Sequence, residues 1–234
     1  RFADVRERLR VARNHRSRPG RDDKVVAAWN GWLIDALAQS AMIFSRPDWL
    51  AVATEAAEYL WQIHWRDGRL RRTSRDGLVG AAAGILEDYA AFALAAVRLA
   101  AVHAAPTWLT RAEQLVEVIM EQFDDAGRGF FDTAADAEQL YARPQDPTDN
   151  ATPSGLSTTV HALRAMAELT GEERYSARAD RAGASVAELV RRAPRFAGWL
   201  LADAISQTPT PRPVQVAVVG LDNPAWGALT LVAH

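Results

Sequence analysis

The sequence contains no cysteine. This absence excludes disulfides, thiolate metal sites and Cys-x-x-Cys redox chemistry. A long uncharged apolar run is also missing, because the most apolar segment, residues 84–103, carries Glu87, Asp88 and Arg98. A membrane-spanning helix needs about 20 predominantly apolar residues, so we expect no membrane span. No charged-then-apolar leader is recognisable, and we expect a cytoplasmic protein.

The chain has no excess of charge of one sign: 27 basic residues stand against 29 acidic ones, a formal net charge of -2. Binding to phosphates requires a basic excess on at least one face, so nucleic acid is not an expected partner. The five histidines lack the spacing of metal ligands, and the sequence has neither a Gly-rich phosphate loop nor a Gly-x-Ser-x-Gly elbow. We expect no bound metal and no cofactor.

The composition is that of an ordinary globular protein, with 234 residues, 49% hydrophobic and 24% charged. The basic residues are 26 Arg and a single Lys, and Ala occurs 46 times, a bias typical of GC-rich coding. The exception, Lys24, draws attention because a compact ammonium fits where a planar guanidinium does not. Chance explains this one lysine equally well.

Apolar residues recur in an order that predicts three helical hairpins, each a mostly apolar helix followed by an amphipathic one. The similar segments Pro47-Asp-Trp-Leu50 and Pro106-Thr-Trp-Leu109 lie 59 residues apart, which indicates a repeat. The turn signals Asp67-Gly68 and Asp76-Gly77 predict a small β-hairpin or loop. The predicted inner helices span residues 24–44, 85–103 and 154–169, and the outer helices span 48–65, 107–123 and 172–191.

A helix that is apolar all round needs cover on every side, and a ring of outer helices around inner ones provides it. We therefore predict an all-α fold over residues 1–206, part of an (α/α)6 toroid, in which residues 196–205 begin a fourth inner helix. The chain is too short for six hairpins. Apolar surface should be exposed where further hairpins would pack, so we expect a homo-oligomer or binding to another chain.

The end of the sequence changes character. Residues 207–213 form a Pro-rich linker, since proline fixes φ and blocks helix formation. Residues 214–220 then read as a β-strand, and a helix is expected from Pro224. We interpret residues 214–234 as the start of a small α/β unit.

The pocket of a helical toroid lies at one end of the inner helices and in the loops between them. Glu87 and Asp88 begin the second inner helix, where two adjacent carboxylates must be capped, paired or used in acid–base chemistry. Their favourable interaction with the helix dipole is the simpler explanation. The functional interpretation assigns catalysis to Glu87, Asp88 and Lys24, with Lys24 or Arg143 tuning the carboxylate pKa.

The segment Trp29-Asn30-Gly31 places an aromatic ring beside an amide, a combination that suits sugars, although Trp is equally good core filler. Gly31 indicates close approach of another helix or of a ligand. His161 is interpreted as a core histidine in preference to a catalytic base. The substrate-binding residues expected at this end of the fold are Asp23, Trp29, Asn30, Tyr89, Asp132, Arg143 and Asp149.

Four motifs in this order carry a resemblance to a known family: Arg21-Asp-Asp-Lys-Val-Val-Ala-Ala-Trp-Asn-Gly31, Leu86-Glu-Asp-Tyr89, Gly129-Phe-Phe-Asp132 and Asp149-Asn-Ala-Thr-Pro-Ser-Gly155. Together they resemble the thioredoxin-domain proteins that include the spermatogenesis-associated proteins and their bacterial relatives. The resemblance covers nearly the whole chain. It implies a toroid similar to six-hairpin glycosidases and N-acylglucosamine 2-epimerases, and an N-terminal thioredoxin-like domain in the full-length protein as its partner.

The chain departs from that family pattern at three positions of one loop and helix start: Gln145 replaces the usual Lys, Asn150 the usual Gly and Leu156 the usual Asn. The paired active-site histidines of sugar epimerases also lack convincing counterparts. We expect a carbohydrate-binding or carbohydrate-processing toroid with a sugar ligand, its reaction left open. The alternative is a non-catalytic interaction scaffold that serves the thioredoxin-like domain.

Overall fold

A computed structural model describes residues 1–103, 105–126 and 128–207. Helices dominate the described chain. In chain order they are α1 (Phe2–Asn14), α2 (Ala27–Ile43), α3 (Pro47–His64), α4 (Leu86–His103), α5 (Pro106–Gln122), α6 (Gly155–Thr170), α7 (Glu173–Ser185), α8 (Ala187–Arg192) and α9 (Gly198–Ser206), with a short 3-10 helix at Pro194–Phe196.

Among the described residues, seven short strands form small antiparallel sheets between the helices. They are β1 (Val25–Val26), β2 (Trp65–Arg66), β3 (Arg69–Leu70), β4 (Thr73–Arg75), β5 (Leu78–Val79), β6 (Asp124–Asp125) and β7 (Gly129–Phe130). The sheet orders are β1-β4-β5, β2-β3 and β6-β7. The predicted turns are confirmed: Asp67 and Gly68 have φ of 52° and 72°, and Asp76 and Gly77 have φ of 51° and 77°. Both Asp-Gly pairs occupy the left-handed region that tight hairpins require.

The inner helices α2, α4 and α6 pack side by side, and α9 contacts α6. The outer helices α3, α5 and α7 pack behind α2, α4 and α6 respectively. Each outer helix runs back along the inner helix before it. The three inner helices therefore begin at the same end of the fold. At α6 that start is capped, because the Ser157 amide donates to Ser154 Oγ at 3.0 Å, and Gly171 ends the helix with φ of 74°. The predicted series of three hairpins is confirmed.

The close approach expected at Gly31 is between two helices. A Cβ placed on Gly31 would lie 2.6 Å from the backbone carbon of Ala91, well inside van der Waals contact. The absence of a side chain therefore allows α2 and α4 to meet backbone to backbone. Alanines line this interface and the interior of α4, 12 of whose 18 residues are buried.

Among the described residues, the structure differs from the sequence expectations in three respects. The helix α2 is not buried all round: Trp29 and Leu33 are 62% and 55% exposed, because α2 packs chiefly against α3 and α4 on one side. The third outer helix is broken at Val186 into α7 and α8. The helix α1 was not predicted, and its residues are all exposed. The linker beyond Gln207 and the β-strand and helix expected in residues 214–234 lie outside the described residues.

A buried histidine joins α3 to the neighbouring strands. His64 has no exposed surface, and its Nε2 lies 2.8 Å from Ser74 Oγ while its Nδ1 lies 2.9 Å from the Arg71 carbonyl oxygen. The Tyr59 hydroxyl lies 3.0 Å from the same Ser74 oxygen. Burial lowers the pKa of His64, and the charge of Arg66 lowers it further against the effect of the Arg71 carbonyl. The neutral imidazole is therefore part of the packing between α3 and β4.

Candidate functional site

A buried carboxylate, Asp88, joins the starts of two inner helices, and the start of the third lies beside them. Asp88 has no exposed surface, and its Oδ1 accepts a hydrogen bond from the Ala28 amide of α2 at 3.1 Å. Its Oδ2 accepts from the Ile85 amide at 3.0 Å. The start of α6 lies against the first turn of α4, because a Cβ on Gly155 would lie 3.2 Å from the Glu87 amide nitrogen. Asp88 thus fixes the N-terminal ends of α2 and α4 beside that of α6.

The cation in this cluster is Arg72, which the sequence analysis did not single out. Its Nη2 donates to Glu87 Oε1 at 2.8 Å, and its Nη1 donates to Asp88 Oδ2 at 3.0 Å. Its backbone carbonyl accepts a hydrogen bond from the Ala27 amide at 2.9 Å. Its position in the basic segment 69–75, between the two Asp-Gly turns, was the available signal.

The buried position of Asp88 bears on the catalytic role expected for it. Its carboxylate has no exposed surface and accepts hydrogen bonds from two backbone amides and Arg72, so its catalytic role stays a prediction. Burial raises the pKa of Asp88 to about 6, although Arg72 and the two backbone amides favour its charged form. Glu87, the preceding residue, is directed differently and keeps 23% of its side chain exposed. The two adjacent carboxylates therefore separate into a structural one and an accessible one.

Glu87 lines a polar cavity of about 240 Å³ at the starts of α4 and α6. We call this space the carboxylate cavity. Its lining combines carboxylates, hydroxyls and an amide: Ile85, Glu87, Asp132, Asp146, Thr148, Asn150, Thr152, Pro153, Ser154 and Gly155. Three carboxylates thus share one small space with several uncharged hydrogen-bonding groups.

Asp132 lies in the loop that follows β7 and also lines this cavity. Its backbone carbonyl accepts from the Leu86 amide at 2.9 Å, which attaches the loop to the start of α4. Its Oδ2 accepts from the Asp146 amide at 2.9 Å. Burial raises the pKa of Asp132, and the charges of Asp146 and Glu87 raise it further against that hydrogen bond. A protonated carboxyl is therefore easier to maintain at Asp132 than at an ordinary surface aspartate.

Three other predicted binding residues form hydrogen bonds that connect parts of the fold. The Tyr89 hydroxyl is buried and accepts from the Leu70 amide at 2.8 Å. Asp149 accepts from the amides of Ser154 and Trp199, both at 2.9 Å, and so joins the starts of α6 and α9. Arg143 donates to the Gln122 carbonyl oxygen at 3.0 Å and stacks over a phenylalanine ring. These contacts explain their polar character without a ligand.

The remaining predicted residues lie at the start of α2. Lys24 pairs with Asp22 at 3.2 Å and Asp23 pairs with Arg21 at 2.9 Å, both on exposed side chains. The structure therefore does not pair Lys24 with Glu87, whose cation is Arg72. Trp29 follows Ala28 and is 62% exposed, whereas the Asn30 amide donates to the Val26 carbonyl oxygen at 2.8 Å. Trp29 thus presents an exposed aromatic ring at the start of α2.

The described residues contain neither a cluster of metal ligands nor a membrane-spanning helix. Within ranges 1–103, 105–126 and 128–207, no three His, Cys, Asp or Glu side chains are grouped as metal ligands would be. Within the same ranges, none of the helices combines the length and the apolar character needed to cross a bilayer.

Comparison with known proteins identifies the relatives of this chain. No family model matches it. Spermatogenesis-associated protein 20 from Rattus norvegicus is 32% identical over 179 residues, which cover 71% of this chain and 23% of that protein. The chain is a homologue of spermatogenesis-associated protein 20. It spans about a quarter of the length of the curated relatives. The thioredoxin-like domain expected in the full-length protein stays a prediction.

Solved structures of glycosidase-like toroids share the fold. A GH76 alpha-mannanase from Bacteroides thetaiotaomicron superposes with a TM-score of 0.66 at 14% identity, covering 92% of this chain and 57% of the mannanase. The cellobiose 2-epimerase from Spirochaeta thermophila gives a TM-score of 0.57 at 15% identity, over 80% of this chain and 55% of the epimerase. At these identities the likeness establishes the (α/α)6 architecture, in agreement with the hairpins described above.

Proposed function

We propose that this homologue of spermatogenesis-associated protein 20 binds a carbohydrate in the carboxylate cavity, and that Glu87 and Asp132 are the acid–base pair of the site. The observation that carries the proposal is that both carboxyl groups line one cavity together with hydroxyl and amide side chains. Sugars present many hydroxyl groups, each both donor and acceptor, and such side chains match them. Trp29 supplies an aromatic ring at the same end for an apolar sugar face.

The two carboxyl groups have different surroundings, which favours different roles. Asp132 has a raised pKa from burial, as a general acid requires near neutral pH. Glu87 forms an ion pair with Arg72 and acts as the carboxylate that accepts a proton or faces developing positive charge. Arg72 and Asp88 are positioning residues, because they act through Glu87 and the helix starts.

The comparisons support a sugar ligand in general terms. By their names, the mannanase acts on a mannose polymer and the epimerase on cellobiose, and both have the fold of this chain. The distance between the carboxyl groups in a ligand complex separates hydrolytic outcomes, at about 5 to 5.5 Å for retention and about 6.5 to 9.5 Å for inversion.

Isothermal titration calorimetry with D-mannose, D-glucose, cellobiose and mannotriose tests the proposal. We expect at least one sugar to bind, and Glu87→Gln or Asp132→Asn to weaken it by about tenfold, the effect of losing a charge-assisted hydrogen bond. The control is Glu55→Gln, which removes an exposed carboxylate from α3. Absence of binding by all four sugars, or equal affinity of the wild type and both cavity variants, overturns the proposal.

One observation favours the second candidate, an interaction scaffold for the thioredoxin-like domain. The apolar side chains of Leu33, Ile43 and Phe44 are 55%, 62% and 64% exposed on or just beyond α2. Exposed apolar groups of this kind are typical of protein contact surfaces. A scaffold of this type predicts that Leu33→Asp abolishes binding to the isolated thioredoxin-like domain whereas Glu87→Gln leaves it unchanged. Leu33→Asp should also reduce self-association if this surface joins two copies of the chain.

A further inference from the structure

A second and larger cavity lies on the inner side of the helix row. It has a volume of about 470 Å³ and is formed by α2, α4, α6 and the first turn of α9. Thr152 and Pro153 line both this cavity and the carboxylate cavity. The two spaces therefore adjoin across one short segment of the loop before α6. We call the larger one the inner cavity.

One wall of the inner cavity presents an aromatic surface. Trp199, at the start of α9, lines the cavity and is 47% exposed. The ring of His161 meets the indole edge to face, with centroids 5.5 Å apart, and His161 Nε2 lies 2.9 Å from the Trp199 carbonyl oxygen. The Trp199 amide also donates a hydrogen bond to Asp149 Oδ2 at 2.9 Å. The indole is thus an exposed ring on a fixed backbone.

The part of the cavity formed by α2 and α4 carries an ion pair and other polar groups. Arg98 of α4 donates from Nε to Asp35 Oδ1 of α2 at 2.9 Å, and both residues line the cavity. The side chain of Gln39 is exposed one turn further along α2. The Trp32 indole nitrogen is buried without an acceptor among the described residues. An aromatic platform facing hydrogen-bonding groups of no net charge suits an uncharged polyhydroxyl ligand.

The volumes are compatible with one ligand that occupies both cavities. The carboxylate cavity alone is smaller than the roughly 300 Å³ at which ligand pockets usually begin, whereas the two cavities together fall well within the usual range. The carboxylates Glu87, Asp132 and Asp146 disfavour an anionic sugar by like-charge repulsion. A neutral chain of linked sugars fits both the size and the charge.

We infer that the inner cavity is a second sugar subsite and that the ligand is a neutral oligosaccharide of at least two units. One unit lies among the carboxylates, and the next passes Thr152 and Pro153 to stack on Trp199. This inference rests on the carbohydrate site proposed above and extends it from a single sugar to an oligosaccharide. It makes Trp199 a residue that determines ligand length.

Calorimetric titration of the whole chain with D-mannose, cellobiose and mannotriose tests the inference. We expect a disaccharide or trisaccharide to bind about tenfold more tightly than the monosaccharide, the gain of one stacking contact with its hydrogen bonds. Trp199→Ala should remove most of that gain and leave monosaccharide affinity within about twofold, whereas Trp199→Phe should retain part of it. Phe44→Ala, which removes an exposed ring away from both cavities, is the matched control.

Gln39→Ala provides a second test, because an exposed side chain can be shortened without loss of folding if Trp199→Ala proves unstable. Gln39→Ala should weaken the binding of the oligosaccharide and leave that of the monosaccharide unchanged. Equal affinity for monosaccharide and oligosaccharide in the wild type overturns the inference, as does a Trp199→Ala effect that is the same for both. In those cases the carboxylate site stands. If none of the sugars binds, the proposed function fails and the inference fails with it.

Discussion

Arg72 and Glu87 form an ion pair of 2.8 Å at the edge of the carboxylate cavity, and Arg72 extends the contact to buried Asp88 at 3.0 Å. One guanidinium therefore connects an accessible carboxylate to the one that fixes the helix starts. Its backbone is itself held by the Ala27 amide. The geometry of the site thus depends on the segment between β3 and β4 as much as on the toroid helices.

Arg72→Lys should destabilise the chain by about 2 kcal/mol, because one ammonium cannot replace two separate guanidinium contacts and Asp88 stays buried with less compensation. Arg75→Lys is the control on the same strand region, where the pairs with Asp23 and Asp76 are exposed and the expected change is below about 0.5 kcal/mol. Urea unfolding followed by circular dichroism measures both. Equal losses for the two variants contradict the role assigned to Arg72.

Gly31→Ala should destabilise the chain by about 1 to 3 kcal/mol, since the added methyl group would enter the backbone of Ala91 and force α2 from α4. Gly183→Ala is the matched control, because Gly183 lies within α7 with no atom within 4 Å of an added Cβ. That change should stabilise by about 0.5 to 1 kcal/mol through helix propensity. Thermal unfolding midpoints that shift in the same direction for both variants are incompatible with the packing described.

His64 should make the chain less stable in mild acid. Its pKa is lowered in the folded state by burial, so the unfolded chain binds the proton more readily. The stability that neutral His64 contributes is present above the unfolded pKa of about 6.5 and is lost as pH falls toward the folded pKa. Urea unfolding at pH 7.5 and 5 measures the loss, which His64→Gln should reduce. An unchanged pH dependence in His64→Gln, compared with His15→Gln at an exposed position, is the contrary result.

The protonation of Asp88 should change the stability of the chain with pH in the opposite direction. Its folded pKa of about 6 lies above the unfolded value near 3.9, so the folded state retains the proton over this interval. The contribution is fully present below about pH 4 and is lost as pH rises through about 6. Asp88→Asn should be less stable throughout, because an amide nitrogen would face the hydrogen-bond donors that Asp88 accepts from. Its deficit should be larger at pH 4 than at pH 7, and a constant deficit contradicts the raised pKa.

The hairpins could be predicted from sequence because apolar periodicity and the repeated Pro-x-Trp-Leu starts act locally. The site could be predicted only in outline. Glu87 and Asp88 are adjacent, yet about 100° of helical rotation separates them, and only packing decides which one is buried. Arg72 reaches Glu87 across a hairpin, so no local pattern links them. The helix α1 was missed because its residues make no buried contact that a periodicity argument could use.

A crystal structure of the chain soaked with mannotriose or cellobiose tests the central claim most directly. The account predicts sugar density with one unit within hydrogen-bonding distance of both Glu87 and Asp132, and the next unit against Trp199. Density confined to the neighbouring cavity bounded by Arg128, Phe130 and Val186, which shares Asp146 with the carboxylate cavity, would contradict the account. So would a fully occupied sugar that touches neither Glu87 nor Asp132.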